Sequence, residues 1–549
     1  GIMSMNAFQR ILASAVIIGC FPLESWGWGE QATRAVANTA LQLLRREYSR
    51  EYFQAGTFLF QGDLVRGALA APDFEGSMED AINTVTNEVE LLREMRKYGV
   101  GSYFAYRMGG LGALVADLYL PYAIGAQNPG AAEIKRRVEM DVDAHLSQLA
   151  FQPKRIDLIF VQRPDDYLRT EQLFVAEAAE LIAADYASGA GYDRYLSTAA
   201  EVFFQKATHA VADIWHTILR LDAEPQGSPP SQTAVAWYFV DEIGYLLVEK
   251  RNPRDAQQRY LLFANTHSGV GETYERIGDH FYEFGKTTRN PEEKGPALQR
   301  AVEEWRLAAS FSGPGRERVV DKLSAHFLSV GKRHVEEAEE SERALEDAID
   351  AFREALTIDR ANAEAAQLLA ETQIAKREKD ERLQMTVEIL ASAEKTLIEG
   401  DRCLADGLYA EAISRYKDVI ALCEGVTEGK EFPFQIRAAR ETRNRASQGI
   451  SKVMDTLIEK GENAIDEGQA LVDENMFEEG IAKYKSIEPM LAIIPSVSED
   501  PTNRYSQLKE NLIQQANREV DEAVVEKRRW EEEQERLRTQ PPGATPSTR

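Results

Sequence analysis

The feature that most constrains this chain is a pattern that recurs 68 residues apart in its second half. In "GLYAEAISRYKDVI" (Gly407–Ile420), Tyr409, Ala412, Ile413 and Tyr416 match Phe477, Gly480, Ile481 and Tyr484 of "NMFEEGIAKYKSI" (Asn475–Ile487), and Gly400 matches Gly468 at the same offset. A third copy, "ALEDAIDAFREALTIDRANAEA", keeps the steps of four and three residues at Ala348, Phe352 and Ala355, and "ALQRAVEEWRLAAS" repeats them at Ala301, Trp305 and Ala308. Those steps put a small residue, an aromatic and a second small residue on one helical face. Two antiparallel helices can then approach closely while the ring fills the gap between neighbouring pairs. The expected fold class is therefore all-α, with helical hairpins that bury their apolar faces against one another.

These segments resemble tetratricopeptide repeats, whose 34-residue period fits twice into 68. The A-x3-F step stands at Ala348–Phe352 and, with tyrosine, at Ala412–Tyr416. The chain departs from the family where Arg360 replaces the terminal proline, where the first-helix tryptophan is missing, and in the uneven spacing of its copies. The resemblance implies an array that binds a protein partner through its repeats. Cys403 lies just before the turn near Gly407 and Cys423 well after it. At 1.5 Å of rise per residue their heights differ by about 18 Å, too far for a disulfide within the hairpin.

Charge narrows the partner. The 549 residues carry 64 Lys and Arg against 90 Asp and Glu, a net charge of −26. That balance argues against nucleic acid and anionic membranes, which are bound mainly by Lys and Arg, and favours a basic or peptide-like protein partner. Seven histidines give little material for an imidazole metal centre, and three cysteines make neither a disulfide framework nor a zinc knuckle.

Residues 1–27 read as an export signal, with Arg10 followed by a short apolar run from Ile11 to Ile18. Two endings compete. "IIGC" is an imperfect lipobox that would put a lipid on Cys20, the only expected route to a membrane, whereas "SWG" at Ser25–Gly27 would release Trp28 as the first mature residue. The expected location is the periplasm, the exterior, or the bacterial envelope through a lipid anchor. A helical domain is expected over 28–222, a Pro/Gly/Ser-rich linker over 223–234 in "DAEPQGSPPSQTA", helical repeats over 235–520, and a charged helix with a disordered tail over 521–549.

Three segments of the first domain carry chemistry. "WGWGEQATRAVANTALQLL" leads into an amphipathic helix with Val36, Ala37, Ala40 and Leu41 on one face; "MGGLGALVADLYLPY" is nearly apolar but for Asp117; "ATHAVADIWHTILR" places His209, Asp213 and His216 at i, i+4 and i+7. Those three share a face, but seven residues rise about 10.5 Å, so only His209 and Asp213 can share an ion. His216 would act behind them. Asp117, in its apolar setting, needs a partner.

Taken in order, the post-signal "WG", the apolar helix ending in D-x3-P, and H-x3-D followed by an aromatic resemble the superfamily of zinc-dependent phospholipases C and zinc nucleases. That resemblance implies an all-helical domain whose three zinc ions activate water for phosphodiester attack. It assigns metal-binding roles to Trp28, whose free amine and carbonyl would serve, and to Asp63, Asp117, His209 and Asp213. It also marks losses: Thr33, Ala113 and Ala123 stand where the family has histidines. The resemblance then implies a domain whose trinuclear site is largely gone, holding one divalent metal, zinc by resemblance, or none. Two functions follow. One is an exported interaction scaffold without catalysis; the alternative is a phosphodiester hydrolase of phospholipase or nuclease type with a reduced metal centre.

Overall fold

The computed structural model describes residues 29–124, 129–149, 153–224, 226–339, 341 and 343–539. The export signal, Cys20, Trp28 and the tail from 540 lie outside the described residues. The all-α expectation holds: the only sheet among the described residues is a two-stranded antiparallel ribbon, β1 Phe53–Gln54 with β2 Thr57–Phe58. In chain order the helices are α1 Glu30–Tyr48, α2 Gln61–Ala70, α3 Met78–Met95, α4 Ser102–Leu118, α5 Pro129–His145, α6 Pro164–Arg169 and α7 Gln172–Ala187. They continue with α8 Tyr195–Leu219, α9 Gln232–Val248, α10 Pro253–Thr266, α11 Gly271–Thr287, α12 Pro291–Ser310 and α13 Arg316–Glu336. The remainder are α14 Ala344–Ile358, α15 Ala363–Ala405, α16 Tyr409–Thr427, α17 Pro433–Asp473, α18 Phe477–Lys485, α19 Ile487–Met490 and α20 Arg504–Thr539. No helix of the described residues is long and apolar enough to cross a membrane.

The chain forms two compact units that divide between His326 and Phe327. In the first, α1 buries Val36, Ala37, Ala40 and Leu41, the face its sequence marks. The glycines of "MGGLG" explain how α4 sits in the middle: a Cβ on Gly109 would stand 1.9 Å from the Leu64 carbonyl oxygen, and one on Gly67 of α2 1.8 Å from that of Tyr106. The α2 and α4 backbones touch, and only glycine permits it. Trp215 of α8 closes over Gly112 and donates its indole N–H to the Met108 carbonyl at 2.8 Å.

The 223–234 segment does not separate domains. Arg93 of α3 and Arg96 just past its end reach the carbonyls of Thr217 and Ile218 in the last turn of α8 and of Arg220 and Ala223 just beyond it, which have no helical donors. Gln226 donates its amide to the Gln162 carbonyl at 2.8 Å, and the Ser231 side chain caps α9. The core then runs on without a break through α9 to α12, with Phe239, Ile243, Phe263 and Phe284 buried in the same cluster as Leu44 and Phe104. The physical reason is α9, "QTAVAWYFVDEIGYLLV", which is apolar on nearly every side and can only sit inside.

The recurring residues mark hairpins. In all four copies the aromatic ring lies on a glycine of the preceding helix: Trp305 on Gly278 in the first unit, and Phe352 on Gly331, Tyr416 on Gly400 and Tyr484 on Gly468 in the second. The 68-residue offset extends to details. Tyr416 donates to Asp401 at 2.7 Å and Tyr484 to Gln469 at 3.2 Å. Arg415 pairs with Glu399 and Lys483 with Glu467. Leu408 and Met476 donate their amides to the carbonyls of Cys403 and Leu471, both at 2.8 Å, across turns held by Gly407 (φ 76°) and Asn475 (φ 66°). Each period contains one long and one short helix, α15 with α16 and then α17 with α18, not two 34-residue hairpins. Cys403 and Cys423 are both free thiols. The charged helix begins earlier than the sequence suggests, at Arg504, and buries Leu512, Ala516 and Ala523 on one side.

Candidate functional site

The H-x3-D segment lies on α8, which is buried along most of its length because the chain packs α1, α3 and α4 around it. One of its faces is polar: His209, Asp213 and Thr217 stand at i, i+4 and i+8. An extended strap, residues 153–163, runs along that face, and its backbone N–H groups need acceptors that no helix or sheet supplies. The side chains of α8 supply them. Arg155 N–H points at His209 Nε2 at 3.3 Å, Ile159 N–H donates to Asp213 Oδ1 at 2.8 Å, and Val161 N–H donates to Thr217 Oγ1 at 2.8 Å.

Asp213 is fully buried and carries three donors in all. Besides the Ile159 amide, its Oδ2 accepts from the Arg155 guanidinium at 2.5 Å and from the Tyr167 hydroxyl at 2.7 Å. A buried carboxylate with a partner charge and a full set of hydrogen bonds satisfies its desolvation locally. Burial and the Arg155 charge together hold the His209 imidazole below its ordinary range, so the ring presents a neutral nitrogen to the strap.

The other expected ligands are elsewhere. Asp63 accepts from the Tyr245 hydroxyl at 2.6 Å and from Lys250 at 2.9 and 3.1 Å, tying α2 to α9. Burial pushes the Asp117 carboxyl up to about 8; Lys135 opposes the shift and Asp73 and Glu139 add to it. His216, two turns further along α8, meets another element: its Nδ1 lies 2.9 Å from the Tyr48 hydroxyl of α1, and burial lowers its pKa. His145 stacks on Tyr192 with ring centroids 4.1 Å apart. Trp28 lies outside the described residues. His209 and Asp213 thus come together as their spacing implies, whereas Asp63 and Asp117 each belong to another neighbourhood.

Among the described residues no three His, Cys, Asp or Glu side chains are grouped to hold a metal ion. The donor chemistry points the same way: a zinc ligand must offer a lone pair, and three of the roughly four acceptor sites of Asp213 already hold N–H or O–H donors, one of them a guanidinium cation. As arranged, this pair does not fit a metal. Sequence reasoning missed Arg155, Tyr167 and Thr217. Thr217 is readable as the next step of the four-residue spacing, but Arg155 and Tyr167 arrive from segments 58 and 46 residues away. Comparison of the chain with protein-family models, with curated proteins and with solved structures finds no match.

Proposed function

We propose that this chain is an exported protein-interaction scaffold, in which a phospholipase-C-like helical domain has turned its metal-binding face to structural use and tetratricopeptide-like hairpins offer the partner surface. The observation that carries the reading is the Arg155 guanidinium on Asp213, together with the strap amides of Ile159 on Asp213 and of Arg155 against His209. The recurring glycine-on-aromatic hairpins support the second half of the reading, since stacked hairpins present long surfaces without needing a cleft. A net charge of −26 favours a basic partner.

Catalysis tests the reading. The full chain, incubated with zinc, manganese or calcium and a generic phosphodiester such as bis-p-nitrophenyl phosphate, should hydrolyse it no faster than buffer does. Hydrolysis that is abolished in His209→Ala would replace the scaffold with a reduced-metal phosphodiesterase. Cross-linking in cells of the source organism should give protein adducts that map to residues 327–539. N-terminal sequencing of the mature protein, expected to begin at Trp28 or at lipidated Cys20, tests export.

A further inference from the structure

The sequence of α7, "QLFVAEAAELIAADYA", carries apolar residues on every side, as that of α9 does, and a helix of that kind ordinarily lies inside. α9 does lie inside, whereas α7 buries one face alone, with Val175, Ala178, Ile182 and Tyr186. Steps of three and four residues put Leu173, Ala176, Glu177, Glu180, Leu181 and Ala184 together on the opposite face. All of them are exposed, Leu173 by 72% and Leu181 by 51%. A solvated face carries mostly polar side chains, and this one is mostly apolar. The glutamates within it are the second observation. Glu171, just before the helix, pairs with Lys206 at 2.8 Å, and Asp185 near its end pairs with Arg194 at 3.6 Å. Glu177 and Glu180 have no ion pair or hydrogen bond among the described residues. Two tyrosines flank them: burial raises the pKa of the Tyr122 and Tyr195 hydroxyls, and the nearby charges of Glu180 and Glu177, respectively, raise it further. A carboxylate beside an aromatic ring suits a Lys or Arg side chain.

We propose that this face of α7 docks one helix of another protein, a basic amphipathic helix whose apolar side chains meet Leu173 and Leu181 and whose Lys or Arg side chains meet Glu177 and Glu180. The leucines stand about two turns apart with the carboxylates between them. The partner's charges therefore lie at the centre of the contact and its apolar groups at either end, the spacing by which a helix is read through one face. Ala176 and Ala184 are small enough to let a second helix approach closely between the leucines. Carboxylates covered in this way need cations, which a basic helix brings. A second copy of this chain does not fit: α7 laid antiparallel against itself gathers Glu177 and Glu180 of both copies with no cation among them. An anionic lipid surface meets the same repulsion.

This site goes beyond the scaffold reading, which puts the partner surface on the hairpins of the second unit, so the two fail separately. The full chain is titrated with a fluorescent Leu/Lys amphipathic peptide as long as α7, and with its Leu/Glu counterpart, and anisotropy is read. Wild type should bind the Leu/Lys peptide one to one and ignore the Leu/Glu peptide. Leu173→Ser with Leu181→Ser should weaken binding by about tenfold or more, and Glu177→Gln with Glu180→Gln by about tenfold at low salt and less at high salt. Ile398→Ser, at an exposed position of α15 in the second unit, should change nothing. Leu173→Gln alone takes the place of the double serine variant if circular dichroism shows that the latter is unfolded. Equal affinity in wild type and the folded α7 variants, or no binding of the Leu/Lys peptide, overturns the proposal and leaves the scaffold reading intact. Self-association of the chain that Leu173→Gln abolishes also overturns it, since the occupant would then be a second copy.

Discussion

The polar face of α8 and the hairpins of the second unit both place side chains at helical spacing, and they use that spacing for different ends. On α8, His209, Asp213 and Thr217 look like ligands in one dimension and serve as acceptors for a strap that arrives from far away in sequence. In the hairpins, Gly400 with Tyr416 and Gly468 with Tyr484 meet at a separation of sixteen residues, so the pattern and its purpose coincide. A motif read from sequence is therefore trustworthy where its partners are local, and ambiguous where the groups that decide its chemistry come from another segment.

The hairpins allow the largest test of this contrast. Tyr416 lies against two glycines, Gly400 and Gly449, whereas Tyr484 lies against Gly468 alone. Truncating a buried aromatic costs about 3–5 kcal/mol. Chemical denaturation should place Tyr416→Ala at the upper end of that range and Tyr484→Ala below it; equal losses would mean that the second glycine contributes nothing. Next comes the strap. Asp213→Ala leaves the Arg155 charge and the Ile159 amide without their acceptor, and should destabilise the first unit by about 3 kcal/mol. Asp213→Ala with Arg155→Ala should recover part of that loss, and a double variant as unstable as the sum of the singles would break the pairing.

A smaller effect distinguishes the hairpin of the first unit, which buries a carboxylate beside its aromatic. Burial pushes Glu304 up to about 6, although a hydrogen bond from Tyr260 opposes the shift. The folded chain holds this proton more tightly than the unfolded one, so its contribution is fully present below about pH 4.5 and is lost as pH rises through about 6. Glu304→Gln keeps the uncharged form at every pH. Its stability relative to wild type should therefore rise across that window by on the order of 2 kcal/mol, and parallel pH profiles of the two proteins would contradict the assignment. The smallest effect belongs to the turns: Gly407→Ala, at φ 76°, should cost about 1 kcal/mol, while Asn475→Gly at the matching position should be neutral or slightly stabilising.

Much of the fold is legible in the sequence. The buried face of α1, the all-helical class and the four hairpin aromatics follow from periodicity, which depends only on neighbours within a helix. Two things are not legible. Proline, glycine and serine over 223–234 suggest a linker, but Arg93 and Arg96, far upstream, fasten the chain there. The period of 68 suggests two hairpins, but α15 runs straight through the expected break, since no glycine or proline interrupts residues 363–399, and α17 runs on through Gly449 and Gly461. At the site, the spacing of His209 and Asp213 puts them correctly on one face. What they touch is decided by Arg155 and Tyr167, and no local pattern in the sequence connects those residues to α8.

The central claim is that the acceptors of α8 are occupied by the strap. Amide hydrogen exchange at Ile159 and Val161 in the wild-type chain, measured with and without excess zinc, tests it most directly. Both amides should be protected, and their protection should not change when zinc is added. Exchange that shifts at one equivalent of zinc, and fails to shift in His209→Ala, would show a metal in the strap's place and contradict the account.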